Sequence, residues 1–288
     1  MSDRLDWTPI LEHAALPPAP PQANVDVSAS TPPGPGRATT VGARGWAASS
    51  GRQEPTHPTP TSGRAGQRAS GYDIDLVEAV FAVGGGLPVA ELAVPGDPVT
   101  ARAAAAALWM ARLWGDRQGY ACLCVGDDGH PGPNGRYEFR RFTQHFHRWP
   151  TDRHRLLAQA MANAPHADIY VAVLLRARPS RRAGTALPGR VAWADVDGPW
   201  TTERAQALAR LADRPVWQVA SGAGRHVYLP LEQLEPPGRL EAWNRRLGAL
   251  LAADAGWSET KLLRLPGTFN HKPRAAGGGR AVPVGWLW

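Results

Sequence analysis

The first seventy residues limit how much of this 288-residue chain can fold. They set Pro17, Pro18, Pro20, Pro21, Pro32, Pro33, Pro35, Pro55, Pro58 and Pro60 among Ser, Thr, Gly and Ala, with few branched apolar side chains. Such a segment cannot bury enough apolar surface to offset the entropy of ordering it, so residues 1–70 are expected to be a disordered tail. Residues 71–100 carry five acidic and no basic side chains and read as an acidic helical lead-in. The main domain is expected over 101–288.

Charge narrows the function classes. Residues 101–288 hold 26 Lys plus Arg against 15 Asp plus Glu, a net charge of +11, which favours a polyanionic partner, nucleic acid first. Of the 32 basic residues only Lys261 and Lys272 are lysines. Neither follows a glycine and precedes Ser or Thr, so no P-loop lies on this chain and a helicase partner is expected on another. The N-terminus lacks a basic stretch followed by an apolar one, and no apolar run nears the roughly 20 residues of a membrane helix. Two cysteines, Cys122 and Cys124, make no disulfide framework, and a cytoplasmic location is expected.

Hydrophobic periodicity predicts helices over 72–83 and 100–113, strands over 120–126 and 137–142, a helix over 152–164 and a strand over 168–175. It then predicts a strand over 190–197, a helix over 201–212 and two strands, 215–220 and 226–231, joined by a tight Ser-Gly-Ala-Gly turn. A helix over 238–253 and short strands near 261–265 and 280–286 complete the pattern. Mixed strands and helices in one basic domain point to an α+β or α/β sheet fold.

Asp195 and Asp197 lie two apart on a predicted strand, so both carboxylates leave one face of the sheet. Side by side they repel unless a cation sits between them, and hard oxygen ligands suit Mg²⁺ or Mn²⁺. The spacing alone is not decisive, because Asp73-Ile74-Asp75 shares it at a predicted helix start, where acidic residues cap free N–H groups. The alternative for 195 and 197 is likewise capping of the following helix.

Two further segments carry polar chemistry. In Ser221-Gly222-Ala223-Gly224-Arg225-His226 the glycines let backbone N–H groups approach an anion, with His226 opening the next strand; a plain β-turn is the alternative. In LLRLPGTFNHK, residues 262–272, Arg264 and Lys272 flank a Pro-Gly turn that also carries Asn270. A lysine acts on phosphate as a point charge, so Lys272 stands out in an arginine-rich chain.

In this order and spacing the segments WADVDG, SGAGRH and RLPGTFNHK resemble the catalytic motifs of the archaeo-eukaryotic primase superfamily, specifically the primase-polymerase domains of plasmid, phage and integrated-element replication proteins. The resemblance covers roughly residues 105–288. It implies an α+β catalytic core, an RRM-like sheet with packed helices plus an N-terminal αβ unit, and DNA primase or polymerase activity with two Mg²⁺ or Mn²⁺ ions. Its partners would be single-stranded DNA template, primer and nucleoside triphosphates. Asp195 and Asp197 match the first two metal-binding carboxylates, and Asp254 or Glu259 would be the third. His226 matches the histidine on the nucleotide's phosphates, the Ser221, Gly222 and Gly224 turn the nucleotide-binding hairpin, and Arg264, Asn270 and Lys272 the phosphate-contacting segment.

Other readings compete. Arg140, Arg141, Arg148 and Trp149, interleaved with Tyr137, Phe139, Phe142 and Phe146, would suit single-stranded template, or would be a packed strand with a solvated basic face. His145-Phe146-His147 matches the histidine pair of rolling-circle initiator endonucleases. Cys122 and Cys124 could join His145 and His147 around zinc, or be paired core cysteines. Arg181 and Arg182 could guide nucleotide or template, or be solvated loop. The chain could also be a DNA-binding replication protein that does not polymerise.

Overall fold

The structure is a computed structural model that describes residues 71–83, 97–133, 135–211, 214–277 and 279–287. The expected tail lies outside the described residues. Asp73 caps helix α1 (Ile74–Ala82) by accepting from the Asp75 and Leu76 N–H groups, and Asp97 caps α2 (Pro98–Trp114) in the same way. The alanines of α2 keep the helix thin. Ala103, Ala104, Ala106, Ala107, Leu108, Trp109 and Met110 are all fully buried, so most of the circumference of α2 is covered, with Ala101, Arg102, Ala105 and Arg112 half-buried along one stripe. Val77, Val80 and Phe81 of α1 join the same core.

The fold is α+β, with two four-stranded antiparallel sheets. The first orders its strands β2 (Tyr137–Trp149), β1 (Gly119–Pro131), β3 (Asp168–Ala172) and β7 (Leu262–Arg264), with α3 (Arg153–Asn163) between β2 and β3 in sequence. The second orders β10 (Gly285–Leu287), β5 (Trp217–Ala220), β6 (Arg225–Glu235) and β4 (Gly189–Val196). Helix α4 (Thr202–Ala209) connects β4 to β5, and β6 pairs antiparallel with both. This is a split βαβ unit, the arrangement at the heart of an RRM-like sheet. A two-stranded sheet, β8 (Phe269–Asn270) with β9 (Val282–Pro283), and the short helix α6 (Lys272–Ala275) follow the last motif.

Core packing fixes how the sheets present their edges. Trp109 of α2 meets Tyr228 of β6 edge-on, and Trp114 donates to the Val173 carbonyl beyond β3. Gly267, in the Pro-Gly turn, has φ +82°, and a Cβ there would lie 2.1 Å from the Arg102 carbonyl oxygen of α2. Only glycine satisfies both demands. The free edge of β4 is covered by helix α5 (Pro237–Leu250) and the loop after it: Asn244 accepts from the Trp193 N–H, the Asp195 carbonyl accepts from the Asp254 N–H at 3.1 Å, and Trp193 donates its indole N–H to Gly256.

Boundaries depart from the sequence pattern where one strand face is solvated. β2 runs on from Phe142 to Trp149, because Thr143, His145, His147 and Trp149 alternate inward while Gln144 and Arg148 point out. Strand β3 stops at Ala172, short of the predicted 175, and after this break Arg176 bridges back to Tyr120 of β1.

Candidate active site

Residues from all three motif segments meet at the end of β4. Asp195 and His226 are register partners on β4 and β6, on the face that carries Trp193 and Tyr228. The His226 Nε2 lies 3.6 Å from Asp195 Oδ1, and Lys261 Nζ lies 2.6 Å from Asp195 Oδ2. Burial by itself would raise the Asp195 carboxyl, but His226, Lys261 and Arg264 outweigh it and hold it below the usual carboxylate range. Burial pushes His226 down to about 4, so the imidazole is neutral at pH 7 and the cations that keep Asp195 ionised there are Lys261 and Arg264. The other imidazole nitrogen, Nδ1, is 3.4 Å from the Tyr228 hydroxyl.

Asp197 is exposed beyond the last residue of β4, with Asp254 beside it. The neighbouring Asp254 carboxyl, the partial loss of water and the charge of Asp195 push Asp197 up to about 6. Two carboxylates are therefore held together at some electrostatic cost, a donor set that suits a hard divalent cation. Asp195 faces Lys261 instead, and among the described residues no three His, Cys, Asp or Glu side chains are gathered closely enough to hold an ion as they stand. Glu259 lies elsewhere: its carboxylate accepts from the Gly184 N–H and its carbonyl from Arg176, so it anchors the loop before β4.

The two glycines of the hairpin explain why the motif needs them. A Cβ on Gly224 would lie 2.3 Å from the Val196 carbonyl oxygen and 3.2 Å from the Asp197 Cα, so the turn rests directly on the backbone that carries Asp197. Gly222 has φ +121°, and a Cβ there would meet the Asn270 Nδ2 at 2.2 Å. Asn270 is buried and donates from that nitrogen to the Ser221 carbonyl at 2.8 Å, while its Oδ1 accepts from the Lys272 N–H. Ser221 is itself buried and closes the turn with its N–H on the Gly224 carbonyl.

Arg264 is held rather than free. Its Nε and Nη2 each reach Asp168 Oδ1 at 3.2 Å, and Nη2 donates to the Tyr170 hydroxyl at 2.8 Å. Asp168 is buried and also accepts from the Tyr137 hydroxyl and the His271 N–H, so four donors satisfy it. Lys272 is exposed at the start of α6. The lysine whose ammonium reaches the carboxylates is Lys261, which the sequence pattern did not single out. Its rarity in an arginine-rich chain is the same signal that drew attention to Lys272.

On β2, Arg140 and Arg148 are exposed, and Arg141 pairs with Asp127 at 2.6 Å. Trp149 corrects the expectation that it faces template. It is 3% exposed, donates to the Gly115 carbonyl and packs edge-on against Phe81 and Trp114, so it belongs to the core. Phe142, 38% exposed and in ring contact with Phe139 and Tyr170, leads instead towards Arg264. The histidine pair is closed: His147 is buried against Gln159, and His145 contacts Thr143. Cys122 and Cys124 are free and buried with Sγ atoms 3.7 Å apart. Register pairs His145 with Leu123 and His147 with Ala121, so the pleat puts histidines and cysteines on opposite faces and no zinc site joins them. Arg181 donates to the Thr260 carbonyl at 3.1 Å.

No helix among the described residues is long and apolar enough to cross a membrane. No family model matches the chain, and no curated protein matches it in sequence. Among solved structures it is similar to primase RepB′, at 14% identity over 65% of this chain and 56% of that one, with a TM-score of 0.41. It is also similar to the AEP domain of the cyanophage S-2L primase-polymerase, at 12% identity over 59% of this chain and 81% of that one, TM-score 0.41. A third is the polymerase domain of Mycobacterium tuberculosis ligase D in complex with DNA, at 15% identity over 65% and 87% of the two chains, TM-score 0.32. The chain spans little more than half, 56%, of the RepB′ structure, and all three of these solved structures are primase or polymerase domains.

Proposed function

We propose that this chain catalyses template-directed nucleotidyl transfer, as a DNA primase, a DNA polymerase or both, in the replication of a mobile element. The observation that carries the reading is the mutual contact of three segments far apart in sequence: Gly224 on the Val196–Asp197 backbone, Asn270 on Ser221, and Lys261 and His226 on Asp195. Packing alone does not require a turn, a strand end and a bent loop to bring carboxylates, an imidazole and cations to one point.

In the proposed reaction a primer 3′-hydroxyl oxygen loses its proton to solvent and attacks the α-phosphorus of a nucleoside triphosphate, the bond to the bridging α,β-oxygen breaks, and pyrophosphate leaves. Asp197 and Asp254, joined by Asp195 once Lys261 has left its carboxylate, would hold Mg²⁺ or Mn²⁺, which when bound would lower the pKa of the hydroxyl and offset charge on the transferring phosphoryl group. His226, neutral at pH 7, can donate one hydrogen bond to a phosphate oxygen without adding charge. Lys261 and Arg264 supply the positive charge for the triphosphate, and Asp168 keeps the Arg264 guanidinium in place. Phe142, with Arg140 and Arg148, would take single-stranded template by stacking and phosphate contact. A helicase on another chain would open the duplex.

Purified protein with single-stranded template, nucleotides and Mg²⁺ or Mn²⁺ should synthesise or extend primers. Asp195→Ala and Asp197→Ala should abolish synthesis and keep DNA binding. A second reading, DNA binding without polymerisation, is favoured by the Lys261 ammonium at the Asp195 carboxylate. Template binding with no synthesis by the wild-type chain under either metal would select that reading.

A further inference from the structure

Arg204, in the first turn of α4, forms no ion pair among the described residues, yet its side chain joins the two loops that carry Asp197 and Asp254. Nη1 donates to the Asp197 carbonyl at 3.2 Å and to the Pro199 carbonyl at 2.7 Å. Nε donates to the Leu251 carbonyl at 3.1 Å and Nη2 to the Ala252 carbonyl at 2.9 Å. All three guanidinium nitrogens are thus spent on four backbone carbonyls, two from each loop.

The loops need such a tie. Each turns through a left-handed residue, Gly198 at φ +78° and Ala252 at φ +47°, and the second is a strained conformation for alanine. A planar fork with five N–H donors spans the gap in a way that a single ammonium cannot.

We propose that Arg204 is a positioning residue: it clamps the 197–199 and 251–252 backbones together and so sets the separation of the Asp197 and Asp254 carboxylates for a divalent cation. The proposal rests on the nucleotidyl-transfer reading of that site. Its effect on catalysis runs through the two aspartates, and it touches neither nucleotide nor template.

The test is Mn²⁺ binding to the full chain without nucleotide, read by electron paramagnetic resonance, with thermal melting measured alongside. Arg204→Lys should bind Mn²⁺ about 10-fold more weakly than wild type and Arg204→Met up to about 100-fold, the range found when groups behind metal ligands are removed. The graded order, with Lys between Arg and Met, separates positioning from simple loss of fold. Mn²⁺ affinity within twofold of wild type in a folded Arg204→Met overturns the clamp alone. A wild-type chain whose Mn²⁺ affinity is unaffected by Asp197→Asn overturns the underlying site reading as well. Should the variants not fold, hydrogen exchange on the wild-type chain decides: added Mn²⁺ should slow exchange in 197–204 and 250–256 together, and a response confined to one of the two loops overturns the proposal.

Discussion

Gly224→Ala isolates the contact on which the site depends. The new methyl carbon would sit 2.3 Å from the Val196 carbonyl oxygen and 3.2 Å from the Asp197 Cα. Ordinary non-bonded contact begins near 3.5 Å, so the hairpin and the Asp197 backbone must part by about 1 Å. Both neighbours are backbone, so no side chain can swing aside. Overpacking of this kind costs about 1–3 kcal/mol, and each kcal/mol lowers Tm by about 2–4 °C in a domain of this size. Catalysis should suffer more, because a displacement of about 1 Å between reacting groups costs about 10²-fold in rate. The assay is single-nucleotide primer extension at saturating Mn²⁺, with melting followed by fluorescence. Gly238→Ala is the control: nothing lies within 4 Å of its Cβ, and relief of backbone entropy should leave stability unchanged or raised by about 0.4–1 kcal/mol. A folded Gly224→Ala protein with wild-type rate would refute the reasoning, since the turn would then not fix the position of Asp197.

Asp197 predicts a pH signature. Its folded-state pKa, near 6, lies above its ordinary value, so its contribution to stability is fully present below about pH 4 and is lost as pH rises through 6. Metal-free wild type should lose Tm between pH 5 and 7 relative to Asp197→Asn; parallel melting curves for the two proteins would count against the crowded pair. Asp168→Asn breaks a buried ion pair with Arg264 and should cost about 3–5 kcal/mol, a fall in Tm of roughly 6–20 °C. A change under 2 °C would show that the Asp168 hub carries little. Trp149→Ala should destabilise by about 3–5 kcal/mol, whereas Phe142→Ala should leave Tm in place and weaken single-stranded DNA binding by about 1–3 kcal/mol. Fluorescence anisotropy and melting together check the pair, and the reverse pattern would restore Trp149 as the template-facing ring.

The elements β4, α4, β5 and β6 of the second sheet follow from features visible in the sequence: apolar runs, a two-glycine turn between β5 and β6, and a helix between β4 and β5. Close approach also left a mark, in that Gly222, Gly224 and Gly267 stand where a Cβ would strike Asn270, the Val196 carbonyl or Arg102. Other parts of the site were illegible because they depend on which loop tertiary packing brings to β4. Asp254 and Glu259 are equivalent as residue types, and only tertiary packing separates them: the Asp254 N–H bonds to the Asp195 carbonyl, whereas the Glu259 carboxylate is taken by the Gly184 N–H. Asp168 resembles any strand-opening aspartate until Arg264 and Tyr137 close on it. Arg204 works wholly through carbonyl oxygens, which leave no trace in side-chain pattern. Trp149 misled because arginines flank it, although its odd position in β2 aligns it with buried His147.

The central claim is that Asp197 and Asp254 act as one unit in phosphoryl transfer. A double-mutant cycle on the incorporation rate of an α-labelled nucleotide tests it directly. The account predicts that Asp197→Ala and Asp254→Ala each remove most of the rate, that the double variant loses almost nothing more, and that Glu259→Ala retains synthesis. Losses that multiply in the double variant, or an active Asp254→Ala beside an inactive Glu259→Ala, would contradict it.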